Sequence, residues 1–410
     1  EGDMTLADFV SAGIKVLDLT NVLSGPFATL HLALLGAEVI KIEPPESGDL
    51  ARKLGNVTKL NEEMMGTSFL AQNANKKSLT LNLKHPDAQL IFKRNGKKFL
   101  VIGTQEMVLK KGLIASNMAR ATIFIDKDTI SHPAINFRYD DSKKDVMLVR
   151  MNEGLSQGPF YDTYHKMDMY FEALYWKTNE SFFDFKMLPG PGVETSAVFE
   201  SEDFFDQDRL KEIKGYNDVN PLYKVNKFFR ERKESVAPLS DLVDYMKFAK
   251  EDVKSFVMQL AILGFLDYNI DREIVTAKPK MRNFIQAEAK KRDYDIIQFK
   301  SKVKNKENAR LSLLNYDLQI HGVGVVQLSD SQIVNVFPYN GEITVKKNRD
   351  FEFTGKIEAG LFDFFAKKCE FNYDKFNLDM TVVDSVTFFV EDKKGVQNRE
   401  GEYPLVKVQS

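Results

Sequence analysis

The stretch GIKVLDLTNVLSGPFATLHLALLGAEVIKIEPP, residues 13–45, constrains the fold of this 410-residue chain more than any other. Ile14, Val16, Leu17 and Leu19 form a short apolar run of the kind expected for a parallel strand buried on both faces. Gly25-Pro26 breaks that run, and Phe27, Leu30, Leu34 and Leu35 then recur at helical spacing up to Gly36, which occupies a C-cap position. Val39, Ile40 and Ile42 supply a second strand, so the segment predicts a βαβ unit with a right-handed crossover. The helix start offers backbone N–H groups suited to an anion. The loop LSGPF lacks the glycines of a dinucleotide fingerprint, which argues against a nicotinamide site.

Four stretches in order, GIKVLDLT, LSGPFAT, LGAEVIKIEPPESGD and NKKSLTLNLKHPDA, carry a resemblance to the opening of family III CoA-transferases, the group that includes formyl-CoA and carnitine CoA-transferases. The resemblance covers residues 13–93 and implies a doubly wound α/β domain in an interlocked homodimer, with coenzyme A as cofactor and acyl-CoA as substrate. It also implies coenzyme contacts at Leu23 and Ser24 in the first loop and at Leu81, Asn82, Leu83 and Lys84. An arginine contact of formyl-CoA transferase falls on Pro44, a departure from that subfamily. Read independently, Lys76, Lys77 and Lys84 give the segment a local positive charge that could meet a pyrophosphate, or simply a solvated strand edge.

The family's chemistry needs an aspartate nucleophile in a Gly-Asp pair that opens a later helix. This chain has two such pairs, Gly2-Asp3 and Gly48-Asp49, and the second belongs to the matched stretch KIEPPESGD. After Arg94 the resemblance stops at RNGKKFLVIGTQEMVLKKG. LSQGPFYD, residues 155–162, is similar to a Gly-Pro-Tyr turn of the family only superficially. No catalytic residue is therefore expected, and the chain reads as catalytically incomplete.

Composition changes at the same place. Four Phe and no Tyr or Trp precede Arg94, whereas all 14 Tyr and the single Trp176 follow it, in tracts such as FEFTGKIEAGLFDFF that alternate apolar with polar residues. Residues 121–150 and the stretch from about 296 onward read as strands, and Asn315-Tyr316-Asp317 recurs as Asn372-Tyr373-Asp374, the mark of a repeating β-layer such as an open β-roll or solenoid. Its aromatic residues are expected to fill a core rather than a lipid groove. Between these regions, residues 239–277 predict helix, turn, helix and hairpin, the order of a winged helix: Val253, Phe256, Val257, Leu260 and Leu263 share a helical face, Gly264 caps it, and the hairpin turns at Asn269 to Arg272. The outward residues Glu251, Asp252, Lys254 and Gln259 are not basic, which favours a structural or protein-contact role over nucleic acid.

The expected fold class is thus mixed: an N-terminal α/β segment of the doubly wound βαβ type (1–93), a β-rich region (94–190), a helical, winged-helix-like block (191–295) and a β-rich, repeat-like region (296–410). With 57 basic and 59 acidic residues the net charge is −2, so no global field recruits polyanions. Cys369 stands alone and is expected in a core. His31, His85, His132, His165 and His321 lack metal-ligand spacing, and no metal is expected. His165 with Asp162 and Asp168 forms one local cluster; on a helix residues 165 and 168 would share a face, and a surface histidine beside two carboxylates is the expected reading. The acidic run ESEDFFDQD, residues 200–208, reads as a solvated loop, and LPGPGVE, residues 188–194, as a linker or irregular loop. No apolar run is long enough to span a membrane, and the opening EGDMTLADFV has no signal-peptide pattern, so a cytoplasmic location is expected for the first segment. Two functions remain open: a CoA-handling module fused to an unrelated β-rich region, or a non-enzymatic β-rich scaffold or binding protein, with a chimeric reading frame as a third origin for the junction.

Overall fold

The computed structural model describes residues 13–81, 89–110, 112–188, 195–214, 220–330, 332–391 and 405–409. The chain divides into two compact units, Glu1–Ala88 and Gln89–Ser410.

The first unit is a three-stranded parallel sheet. β1 (Lys15–Asp18) pairs with β2 (Glu38–Glu43) in the register Val16↔Val39, and β2 pairs with β3 (Lys77–Thr80) in the register Lys41↔Ser78. The connection from β1 to β2 runs through α1 (Ser24–Leu34), and two short helices, α2 (Thr58–Glu62) and α3 (Thr67–Asn73), precede β3. The predicted βαβ unit is present, and Gly36 follows the helix at φ 99°, a conformation that favours glycine. The expectation of strands buried on both faces is corrected. Val16, Asp18, Val39, Lys41 and Glu43 lie on one face, and Leu30 and Ala33 of α1 are buried with them. On the opposite face Leu17 is 64% exposed and Leu79 49% exposed. Ile42, beside Leu79 on that face, is buried, so the face is bare at Leu17 and Leu79, where a complete α/β domain would carry a covering layer.

The second unit is mostly antiparallel β. Its long strand Asp128–Asp140 branches: the segment near Ser131 pairs with Phe160–Asp162, and the segment from Asn136 pairs with Asp145–Val149. One run continues through Ala173–Lys177, Phe182–Lys186, Ala309–Ser312, Leu318–Ile320 and Ile343–Val345. The other passes through Met167–Tyr170, Thr195–Ser201 and Gln298–Val303. Strand Phe351–Ala359 receives Ile343–Val345 beside Phe351 and Val334–Pro338 along the rest of its length. Both runs feed one core, in which Phe171 stacks between Phe160 at 4.5 Å and Phe185 at 4.6 Å. The aromatic residues thus fill a core, as the alternation predicts, and Cys369 is buried within it. Both Asn-Tyr-Asp triplets sit at hairpin connections, after Ala309–Ser312 and at the end of Phe362–Asn372.

Strands Thr195–Ser201 and Gln298–Val303 are sheet neighbours, so the helical block between them is an insertion. It comprises α4 (Gln207–Lys214), α5 (Pro221–Arg232), α6 (Leu239–Met246), α7 (Lys250–Ile262) and α8 (Pro279–Glu288). Strand Ile274–Ala277 pairs with both Leu266–Asn269 and Val236–Pro238, and Gly264 ends α7 at φ 82°. The acidic run 200–208 is not the solvated loop expected: Glu200 is buried in a strand, and Asp203 meets Arg349 at 3.0 Å and Arg292 at 3.3 Å. Cations from distant segments make its burial tolerable. No helix among the described residues is long and apolar enough to cross a membrane.

Candidate functional site

The carboxyl ends of β1, β2 and β3 lie at one edge of the parallel sheet, and the loop from Leu19 to Leu23 passes there into α1. Gly25 touches the loop so closely that a Cβ would lie 2.2 Å from that of Thr20, so only glycine fits. Val22 adopts φ 71°, unfavourable for a β-branched residue, and its amide is held by the carboxylate of Asp49 at 3.0 Å. Asp49 also caps the short helical turn Leu50–Lys53 through the Ala51 amide.

Beneath the loop lies a buried ionic network that the apolar reading of the strands missed. Lys41 Nζ pairs with Asp49 at 2.7 Å and donates to the Thr20 carbonyl at 2.6 Å. Lys76 Nζ meets Asp18 at 3.0 Å and also donates to Thr29, Asn73 and the Pro26 carbonyl. Glu43 accepts from Arg52, from Ser78 at 2.8 Å and from the Asp49 amide at 3.0 Å. The available signal was charge at alternate positions, Lys41 and Glu43, inside an apolar strand, since alternate residues share a face.

Burial alone would raise the carboxyl groups of Asp18 and Glu43. For Asp18, hydrogen bonds from Thr20, Thr29 and Lys76 overcome that penalty and hold it at about 2. For Glu43, Arg52, the Asp49 amide and Ser78 do the same, again to about 2. Burial lowers Lys76, and Asp18 offsets only part of this. Because both carboxyls titrate lower folded than unfolded, their stabilisation is complete above their ordinary range near 4 and is lost as pH falls toward 2. Hydrogen exchange across residues 13–81 should therefore lose protection between about pH 4.5 and 2. Unchanged protection factors over that window would contradict this electrostatic assignment.

Of the residues implied as coenzyme contacts, Leu23 and Ser24 are exposed at the loop and helix start, and Leu81 is exposed where β3 ends, its amide donating to the Glu43 carbonyl. All three belong to the same edge of the sheet. Asn82, Leu83 and Lys84 lie outside the described residues, as do His85 and Gly2-Asp3. Of the lysines read as a positive patch or a solvated strand edge, Lys76 is buried against Asp18, Lys77 is exposed and pairs with Glu38 at 2.6 Å, and Lys84 lies outside the described residues. The edge therefore offers backbone donors at the start of α1, while Lys41 and Lys76 are engaged by carboxylates. This set fits the phosphates of coenzyme A only in part.

The His165 cluster is also reshaped. Residues 160–170 form a hairpin, not a helix, and His165 is buried rather than at the surface. Its Nδ1 lies 2.6 Å from Asp162, and Nε2 lies 2.8 Å from the Tyr316 carbonyl, so both ring nitrogens are engaged. Asp168 points elsewhere, to Lys280. The turn at 155–162 is buried in the second unit, where Tyr161 donates to the Ala261 carbonyl of α7. Among the described residues no group of His, Cys, Asp and Glu is arranged to hold a metal.

The comparisons with known proteins bear on the N-terminal part of the chain, the first unit and the start of the second. The CoA-transferase family III profile matches residues 12–94. This segment resembles family III CoA-transferases. Mouse succinyl-CoA:glutarate CoA-transferase is 51% identical over 81 residues, 20% of this chain and 18% of its own. The succinyl-CoA–L-malate CoA-transferase beta subunit of Chloroflexus aurantiacus is 37% identical over 91 residues, 22% of each chain. The crystal structure of the hypothetical protein Rv3272 from Mycobacterium tuberculosis matches at 42% identity over 18% of each chain, with a TM-score of 0.15. The chain thus spans about a fifth of the length of the curated relatives it matches.

Proposed function

We propose that residues 13–93 are an acyl-CoA-handling segment of the CoA-transferase type that is catalytically incomplete in this chain, joined to an unrelated β-rich region that supplies binding or scaffolding. The observation that carries the reading is the state of Asp49. It is the aspartate of the one Gly-Asp pair among the described residues, and it is buried, paired with Lys41 and committed to the Val22 and Ala51 amides. A nucleophile must reach a thioester carbonyl, and this carboxylate holds the loop instead. The exposed sheet face around Leu17 and Leu79 supports the same reading, because it is where the remaining layer of a doubly wound domain, or a second copy in a homodimer, would pack.

The chain should accordingly show no transfer of coenzyme A between succinyl-CoA and glutarate, malate or oxalate. Coenzyme binding at the sheet edge should be no tighter than roughly millimolar, about −4 kcal/mol, because a few backbone contacts must offset the ordering of a flexible nucleotide. Hydrogen exchange over residues 19–27 reads that site directly. Protection there at about 0.1 mM CoA, or turnover abolished by Asp49→Asn, would overturn the proposal.

For the remainder, the inserted block supports a winged-helix-like reading with a protein-contact role. Strand Val236–Pro238 completes a three-stranded sheet with the hairpin after α7, and the exposed residues Glu251, Asp252 and Gln259 on α7 give no basic face for a phosphate backbone.

A further inference from the structure

A groove of ≈ 600 Å³ runs between α5 and α8 in the inserted block. The two helices are antiparallel, since Tyr223 near the start of α5 donates to Glu288 at the end of α8. Phe229 and Arg230 on α5 and Lys233 at its left-handed C-cap face the groove, and on α8 Met281, Arg282 and Ile285 do so. Phe229 and Met281 are buried and form an apolar floor, while Arg230, Lys233 and Arg282 are exposed along the walls. Lys291 adds a further cation.

Among the described residues none of Arg230, Lys233, Arg282 and Lys291 has an ion pair; of the nearby acids, Glu231 pairs with Lys227 and accepts from Tyr245, and Glu288 accepts from Tyr223. Among the described residues Glu234 is the one acid lining the groove, and it pairs with Arg232. The amino end of α8 opens here with Pro279 and has no acid in its first turn, so the helix dipole adds to the positive potential. Basic residues at the end of α5 complement that helix's own carbonyls, which accounts for Arg230 and Lys233 but not for Arg282 on the facing helix.

We propose that this groove binds an organic polyphosphate: an apolar or aromatic body on the floor of Phe229 and Met281, with its phosphates held by Arg230, Lys233 and Arg282. The volume falls within the range of about 300–1,000 Å³ usual for small-molecule sites. Arginine on both walls suits paired N–H donation to phosphate oxygens. The site lies in the second unit and does not depend on the coenzyme reading of the first.

ATP is the probe. Calorimetry on the full chain at low salt should give a Kd below about 100 µM, weakened at least about tenfold by Arg230→Glu with Arg282→Glu. Inorganic tripolyphosphate should bind at least about tenfold more weakly than ATP, because it cannot use the floor. Far-UV circular dichroism reports whether the variant keeps its helices, and Arg230→Lys with Arg282→Lys should retain most of the affinity. Absence of heat up to about 1 mM ATP, undiminished binding by the charge-reversed variant, or equal binding of tripolyphosphate would overturn the proposal. So would a single-stranded oligonucleotide that outcompetes ATP, since it would assign the groove to nucleic acid.

Discussion

Lys280→Met is expected to destabilise the second unit by about 3–5 kcal/mol, the cost of breaking a buried ion pair from one side. Lys280 is buried at the start of α8, yet its ammonium reaches Asp168 on strand Met167–Tyr170 and Glu200 on strand Thr195–Ser201 at 3.4 Å. Burial would lower the lysine, but the two carboxylates more than reverse this and raise it. Burial likewise opposes ionisation of Glu200, and Lys280 with Arg209 overcomes it. Methionine keeps the volume and removes the charge. Arg209 still covers Glu200, at 2.7 Å, but Asp168 is left buried opposite an apolar group. Adding Asp168→Asn should recover most of the loss, because a neutral amide costs far less to bury than an unpaired carboxylate. Urea unfolding followed through Trp176 measures both variants. A loss below about 1 kcal/mol for the single variant would show that water reaches the junction and screens it.

Phe171→Ala should cost a comparable amount, about 3–5 kcal/mol, for a different reason. Phe171 is fully buried and stacks on Phe160 from one run of strands and on Phe185 from the other, with Phe199 further off at 6.5 Å. Its removal leaves a cavity where the two runs meet, and rings held by strands on both sides cannot collapse into it. Phe171→Leu should cost much less. Equal losses for the two variants would mean that ring stacking, rather than filled volume, stabilises the position. Trp176 packs against Phe99 and Phe183 in the same core, so its emission follows unfolding of that core.

These two sites show why some elements were legible and others were not. The βαβ unit, the helix ending at Gly264 and the alternating strands follow from periods of 3.6 and 2 together with glycine caps, which are local properties of the chain. Leu23 and Ser24 in the first loop and Leu81 after β3, which the resemblance implies as coenzyme contacts, lie at one edge of the sheet. The Asp18, Lys41, Asp49 and Lys76 network was not, because its members come from four separate segments and each reads singly as a surface charge. The same holds for Glu200 and Asp203, whose acidic run reads as solvated until Arg209 and Arg349 are placed beside it. The cations of the groove were missed for the opposite reason: chain-wide charge is nearly balanced, and only the pairing of α5 with α8 gathers one sign in one place.

By itself, then, the sequence determined the βαβ unit, the helix ending at Gly264 and the alternating strands, the resemblance of residues 13–93 to family III CoA-transferases, and the lack of any later Gly-Asp pair, since these depend on neighbouring residues and their order. Tertiary structure alone decided which charges are buried and paired, which sheet face stays bare, and that the regions before and after the helical block form one sheet. Burial and Coulomb energy depend on distances between segments far apart in the chain, and a one-dimensional pattern does not contain those distances.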